Sequence, residues 1–501
     1  MAQQRQSIYV GAPGFRGLNT QDSPVNQDSS FASIAENAII DKYGRIGARQ
    51  GLDKLTSSTT PLGSSIGTEA IFEFTKNDGT TTVFSTGNNK VFTGTTSLTD
   101  VTNSMTISAN NWKIVSFNND VYFFQRGHNA LEYTSSSSSL GVVHADAPDA
   151  NEVCAAFGRL WAGDVANNTY TLYFSDTLDG DDWTGGTSGS LDLRTVWPTG
   201  FDEIVAIKEF NNFLVIFGKQ SILVYQGASA PASMSLSDTI TGIGCIARDS
   251  VQSTGTDIVF LSDSGVRSLG RTIQEKSNPI GNVSKNVRDD IIYLTTVETG
   301  NIKSVYSPEE AFYLLFFPTS SIVYCFDMRG TLEDGSNRVT TWPATKIFSG
   351  ARGSDGTIYL GTAKGINKYH DYLDDTSPYT MKYYTQPLAF GDPSRLKILK
   401  EISFRVIGGS GSSVLLNWGY DYTEAYTKQA ITIANSSIAE YGISEYNVAT
   451  SEYSASIIVD VAKTKATGSG EVATIGVDAT INGASLSIQE LKTEALIGKL
   501  V

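Results

Sequence analysis

Histidine, cysteine and proline are scarce in this 501-residue chain, with 3, 3 and 13 copies, and charged residues make up only 18% of it. Each shortage excludes something. Cys154, Cys245 and Cys325 are isolated, odd in number and outside any CxxC, so a disulfide scaffold is excluded and each reads as a buried reduced thiol. His128, His144 and His370 lie far apart, and no metal-ligand spacing occurs. Apolar runs such as FYLLFF at 312–317 fall far short of the roughly 20 residues a membrane span needs. The opening MAQQRQSIYV has no apolar h-region, so no secretory signal is expected. Lys and Arg (37) are outnumbered by Asp and Glu (52), for a formal net charge of −15, and no three basic residues are consecutive. Such a chain is poorly suited to gripping nucleic acid or anionic lipid.

The usual marks of catalysis are missing too. There is no GxSxG elbow, no GxxxxGK[ST] phosphate loop and no GxGxxG opening a helix. GGSGSS at 408–413 sits between two strand-like runs and reads as a hairpin loop. No catalytic, cofactor-binding or metal-ligating residue is assigned, no cofactor is expected, and the chain is read as a non-enzyme.

What is present is a well-populated core: 40% hydrophobic residues, too many for a disordered chain, in a length that suggests two to four domains. A paired-strand pattern recurs with starts near residues 79, 117, 157, 210, 256, 309 and 355, about 40 to 50 residues apart. Its clearest copies are SFNNDVYFFQRGHNALEY from Ser116 and EFNNFLVIFGKQSILVYQ from Glu209. Each has Phe-Asn-Asn, an apolar run, a polar turn and a second strand with an aromatic. Val, Ile, Phe, Tyr and Thr fill the runs, and Gly, Asn, Asp and Ser fill the turns, as hairpins require. The period is that of four-stranded propeller blades. The expected fold is all-β: a six- or seven-bladed, possibly incomplete, β-propeller over 66–375, preceded by an extended N-terminal arm (1–65) and followed by an antiparallel β-sandwich-like region (376–501). Within the arm, SFASIAENAII at 30–40 is compatible with a short helix. The closing ASLSIQELKTEALIGKLV suits a strand better than a helix.

Small acidic clusters occur at 179–182, 289–290, 309–310 and 371–375, and each reads as a solvated loop. Paired carboxylates would suffice for glycoside hydrolysis. SDTLDGDDW from Ser175 superficially resembles a sialidase Asp-box turn, but with the wrong spacing, and no arginine cluster stands out. Six tryptophans (112, 161, 183, 197, 342 and 418) offer sugar-stacking platforms on one reading and core filling on the other. A glycan-binding or glycan-cleaving propeller protein is therefore the alternative function.

Residues 11–55, GAPGFRGLNTQDSPVNQDSSFASIAENAIIDKYGRIGARQGLDKL, carry the strongest signal. They resemble the opening of the tail nozzle family of short-tailed bacteriophages, also called tail tubular protein B. The matching positions are Gly14, Gly17, Leu18, Asn19, Asp28, Asn37, Asp41, Gly44, Arg45, Arg49 and Gly51. QPLAFGDPSRLKILKEI from Gln386 and the final 19 residues from Gly483 are similar to phrases that begin and close the C-terminal part of that family. The resemblance implies a virion structural protein of the phage tail tip. It implies a homo-hexameric ring below the portal adaptor ring, whose channel carries DNA outward without specific binding and stays closed until infection. Tail fibres are further implied partners, although this chain has little room for the insertions that dock them. On that reading the signature residues serve assembly rather than catalysis. Arg45 and Arg49 would pair with Asp41, as a local surface bridge, or with a neighbouring subunit. Asp179, Asp181 and Asp182 are the guess for an acidic lumen loop, and the turns at 87–90 and 127–130 are candidate constricting loops.

Overall fold

The computed structural model describes residues 4–500 except 25–26, 58–66, 104, 199, 271–282, 410–411, 424, 434–437, 440–451 and 454–458. Seven antiparallel units of three or four strands succeed one another along the chain, the sixth of them part of a larger sheet. Blade 1 is built from Ala70–Thr75, Thr81–Gly87, Lys90–Thr93 and Thr99–Asp100. Blade 2 (Lys113–Phe117 to Ser139–Val142), blade 3 (Ala150–Ala156 to Gly189–Asp192) and blade 4 (Ile204–Phe210 to Ser235–Thr241) repeat the four-stranded meander. Blade 5 has three strands, from Gln252–Ser253 to Gly265–Ser268, and a helix, Arg288–Val297, packs on the last of them. Blade 6 spans Lys303–Ser307 to Asn337–Pro343. Blade 7 takes three strands from 349–369 and its outermost strand, Leu52–Lys54, from the N-terminal region. Inner strands of blades 1 and 7 pack against each other, so the propeller closes.

The recurrent Phe-Asn-Asn has a backbone cause. The hairpins between first and second strands turn on Asn118–Asn119 (φ 47° and 68°) and Asn211–Asn212 (φ 49° and 66°). Two successive left-handed residues make the turn whose twist matches the strands, and Asn tolerates that region better than other side chains. The seven repeat starts read from the sequence fall on or beside the first-to-second-strand connections of the seven blades. Second strands such as Phe213–Gly218 are apolar on both faces because each is covered by the blade before and the blade after. An apolar cluster fills every blade interface, for example Phe84 with Phe123 between blades 1 and 2 and Phe217 with Phe260 between blades 4 and 5.

Blade 6 does not end at its fourth strand. Its sheet runs on through Gly17–Leu18, Phe31–Glu36, Tyr379–Thr385, Ala473–Ile481, Ser413–Tyr420 and Thr427–Thr432 to make ten strands. A second sheet of six strands covers this extension and forms the sandwich: Val459–Lys465, Arg395–Gly408 and Leu486–Leu500 in order, then Gln4–Gly11 and Ile46–Ala48 both on Leu486–Leu500, with Ala38–Ile40 beyond Ile46–Ala48. The final segment is thus a long strand. Residues 30–40 are two strands rather than a helix: Phe31–Glu36 and Ala38–Ile40, broken at Asn37 (φ 51°). Ala32, Ala35 and Ala38 give the window its helical look, but all three are fully buried and small enough for sheets to pack closely over them. Tertiary pairing on both edges overrides local propensity there.

Candidate functional site

The inner strands surround a central channel, and its geometry follows from a break in their apolar pattern. Lys113 in blade 2, Glu152 in blade 3, Arg248 and Asp249 before blade 5, and Lys303 in blade 6 all project to the axis. Asp249 accepts from Lys113 Nζ at 3.2 Å and from Arg248 Nε and Nη2 at 3.1 and 2.7 Å, and lies 3.5 Å from Lys303 Nζ. Lys113 also lies 3.4 Å from Glu152, whose other oxygen accepts the Ile207 backbone N–H of blade 4. Arg248 Nη1 and Nη2 donate to backbone and side-chain oxygens of Asn151 and Asn111 at 2.6–3.1 Å. Lys303 donates to the Glu69 carbonyl of blade 1. Six blades meet in this knot.

The knot divides the channel. On one side lies a cavity of about 480 Å³ lined by Lys208, Gln252, Ser304 and Arg352; on the other a cavity of about 420 Å³ includes Arg126, Lys219 and Glu298. Asp249 lines both, so the buried charges form a plug. Burial opposes ionisation of Asp249, but Arg248, Lys113 and Lys303 outweigh it and hold its carboxyl well below the ordinary range. Burial pushes Glu152 up, against the pull of Lys113 and Arg248. Burial also lowers Lys303 to about 8, a shift Asp249 only partly offsets. A lysine whose pKa falls on folding makes unfolding take up a proton, so its contribution to stability rises with pH between about 8 and the unfolded value near 10.4. Wild type is expected to gain stability relative to Lys303→Met over that window, with a slope of at most about 1.4 kcal/mol per pH unit. Urea unfolding of both proteins at matched pH values reads the difference; a flat difference would contradict the assignment.

The plug was not picked out from the sequence, although a signal existed. Asn111-Trp112-Lys113 and Asn301-Ile302-Lys303 repeat Asn-x-Lys at the start of two inner strands, and Asn151-Glu152 is a close relative.

The structure places the signature residues elsewhere, at the seam between propeller and sandwich. Arg49 is 2% exposed and makes a bidentate pair with Asp374 at 2.8 and 2.7 Å. It also donates to Asn37 Oδ1 and stacks over Tyr379, 4.3 Å from the ring centre. Arg45 is 3% exposed, lies 3.5 Å from Asp41 and covers Tyr43. Arg45 does pair locally with Asp41, though the strands around it bury the guanidinium instead of leaving it at the surface, whereas Arg49 does not reach Asp41. Asp374, read as part of a solvated cluster, is the partner of Arg49 instead. Gly51 has no room for a Cβ, which would fall 1.9 Å from the Leu373 carbonyl oxygen. Gly17 (φ +78°) lies against the Val339 backbone, and Gly44 (φ +74°) against Pro13. Gly14 donates to Gly11 O; Asn19 is buried and receives the Gln21 and Asp22 N–H groups; Asp28 caps Ser30.

Asp179, Asp181 and Asp182 sit in the loop between the third and fourth strands of blade 3. Asp179 accepts the N–H groups of Asp181 and Asp182, and Asp182 those of Thr184 and Gly185. The loop packs on Tyr122 of blade 2, away from the plug. The 87–90 and 127–130 turns lie on the Arg248 side of the plug, through the Asn89–Asn110 hydrogen bonds and through His128 beside Asn111. All six tryptophans are buried, between 0% and 7% exposed, so none forms a surface sugar platform.

Comparison with known proteins places this architecture. No curated protein matches the chain. Among solved structures it is similar to the extracellular domain of the one-component system BT4673 from B. thetaiotaomicron, at 13% identity and a TM-score of 0.41. That match covers 65% of this chain and 40% of the other, so the chain spans well under half the length of that relative. The WD40 propeller of Doa1 matches at 12% identity, TM-score 0.39, over 64% of this chain and 96% of that one. The Neurospora crassa Pan2 WD40 domain matches at 9%, TM-score 0.39, over 66% and 98%. A family described as bacteriophage P22 Gp10, β-propeller, matches residues 81–342, from the second strand of blade 1 to the end of blade 6. That stretch is more than half of the chain, which therefore belongs to the bacteriophage P22 Gp10 β-propeller family.

Proposed function

We propose that this member of a phage tail-associated propeller family is a non-enzymatic tail nozzle: a virion structural protein that forms a ring below the portal adaptor, lines the DNA exit channel and closes it until infection. The family match across six blades carries the reading. The plug bears on where DNA would run. Duplex DNA, whose major groove alone is about 12 Å wide, does not fit a channel split into two cavities of about 480 and 420 Å³. The conduit therefore lies between copies, and each propeller is a rigid wall element. The chain's charge of −15 suits a wall along which the duplex slides, since DNA carries one negative charge per about 1.7 Å.

Native mass spectrometry of the purified chain, alone and mixed with the phage's adaptor ring, tests this. A ring of six is expected, formed alone or on the adaptor. A monomer that ignores the adaptor and binds or cleaves host polysaccharide would replace the nozzle with a glycan-directed role.

A further inference from the structure

We propose that the cavity of about 480 Å³ on the Lys208 side of the plug binds a small oxyanion that carries a hydroxyl, either phosphate or a phosphate monoester. The inference concerns one copy of the chain and stands apart from the ring reading. Four cations and three anions line the cavity. Three of the cations are answered within the protein: Lys113 by Glu152 and Asp249, Lys303 by Asp249, and Arg352 by Glu309. Glu73, the remaining anion, accepts the Ser354 N–H at 2.6 Å. The fourth cation, Lys208, has no carboxylate within ion-pair distance among the described residues. A cation left over in a walled cavity, in a chain of net charge −15, calls for an anion from outside.

Glu152 defines the kind of anion. It is 1% exposed and lines this cavity but not the one beyond the plug. One oxygen accepts the Ile207 N–H, which holds the carboxylate beside the residue preceding Lys208 in blade 4. The other, Oε2, is buried and accepts no hydrogen bond, although Lys113 Nζ lies 3.4 Å away. Buried polar atoms are almost always bonded, so an orphan oxygen in a cavity wall marks the place of a ligand's donor. Lys113, Lys208 and Glu152 all act electrostatically on the Cys154 thiol in the same wall, so the three charges converge on one spot.

That trio sets the chemistry. Lys208 donates to the oxygens of an anion, with Lys113 beside it. Oε2 of Glu152 accepts from a ligand that keeps a donor. An ammonium donor would lie against Lys113 and be repelled, so the donor is a neutral O–H. Phosphate meets both demands at neutral pH, because it retains at least one proton. Sulfate has none and would set a bare oxygen against the carboxylate, which rejects it. A phosphate monoester meets them when a hydroxyl on its organic part takes the Glu152 contact, and the cavity lies within the size range of small-molecule sites.

The test is isothermal titration calorimetry of the full chain at neutral pH with inorganic phosphate, sulfate and glycerol 3-phosphate. Saturable phosphate binding at one site per chain is expected, with sulfate weaker by roughly tenfold or more. Lys208→Met breaks no ion pair of the plug and should weaken phosphate binding by about tenfold. Lys219→Met, beyond the plug, should leave it unchanged. Glu152→Gln keeps the size of the side chain but removes its charge, so it should abolish the preference for phosphate over sulfate. Glycerol 3-phosphate binding more tightly than phosphate assigns the site to a monoester; weaker binding assigns it to free phosphate. No saturable binding of either, equal affinities for phosphate and sulfate in wild type, or phosphate binding untouched by Lys208→Met would each overturn the proposal.

Discussion

Asp249→Asn is expected to lower stability by about 3–5 kcal/mol, the cost of breaking a buried ion pair by removing one partner. The carboxylate serves three cations at once: Lys113, Arg248 and Lys303 all lie within 3.5 Å of its oxygens. Asparagine fits the same space but leaves Glu152 alone to balance them. The substitution removes one anion that ties blades 2, 5 and 6, so the loss should appear as a lower melting temperature for the whole propeller, read by calorimetry. Adding Lys303→Met should restore part of the loss, because one buried cation leaves with the anion. The coupling between the two sites should reach 1 kcal/mol or more, as contacting residues in one network do. A single variant within about 1 kcal/mol of wild type would mean that the channel charges are solvated and bind nothing together.

Arg49→Lys should be nearly as damaging as Arg49→Ala. The guanidinium makes two parallel bonds to Asp374, a third to Asn37 and a fourth to the Gln50 carbonyl, and it stacks on Tyr379 with Trp342 5.5 Å from its centre. Lysine supplies charge but neither the fork nor the flat face. Asp374 also accepts the Leu52 N–H at the start of the strand that closes blade 7. Losing Arg49 therefore loosens both the propeller's closure and its seam with the sandwich, and about 3–5 kcal/mol is expected for either variant. Urea unfolding followed by tryptophan fluorescence reports on it, since Trp342 sits at the seam. Wild-type stability for the lysine variant would remove the seam role assigned to this position.

Several of these features were legible before the fold. The Phe-Asn-Asn hairpins, the apolar second strands and the 40-to-50-residue period all express local rules, namely turn chemistry and burial on both faces, and they locate the seven blades. The isolated cysteines and the tryptophans were readable as core for the same reason. Residues 30–40 imitate a helix through three alanines at i, i+3 and i+6, whereas Phe31–Glu36 is held between Gly17–Leu18 on one edge and Tyr379–Thr385, about 350 residues on, at the other. Asp374 was read as solvated because its partner lies 325 positions earlier.

The amino-acid sequence alone determined an all-β chain of repeating hairpins, poor in reactive side chains and net acidic, with an N-terminal signature resembling a phage tail family. Only the tertiary structure decided that the signature arginines are buried linchpins, that Leu52–Lys54 completes the last blade, and that five charges from four blades plug the channel. The division has one physical cause. Strand and turn formation depends on neighbours a few residues apart, while the worth of a buried charge depends on partners that only closure of the ring brings within about 4 Å.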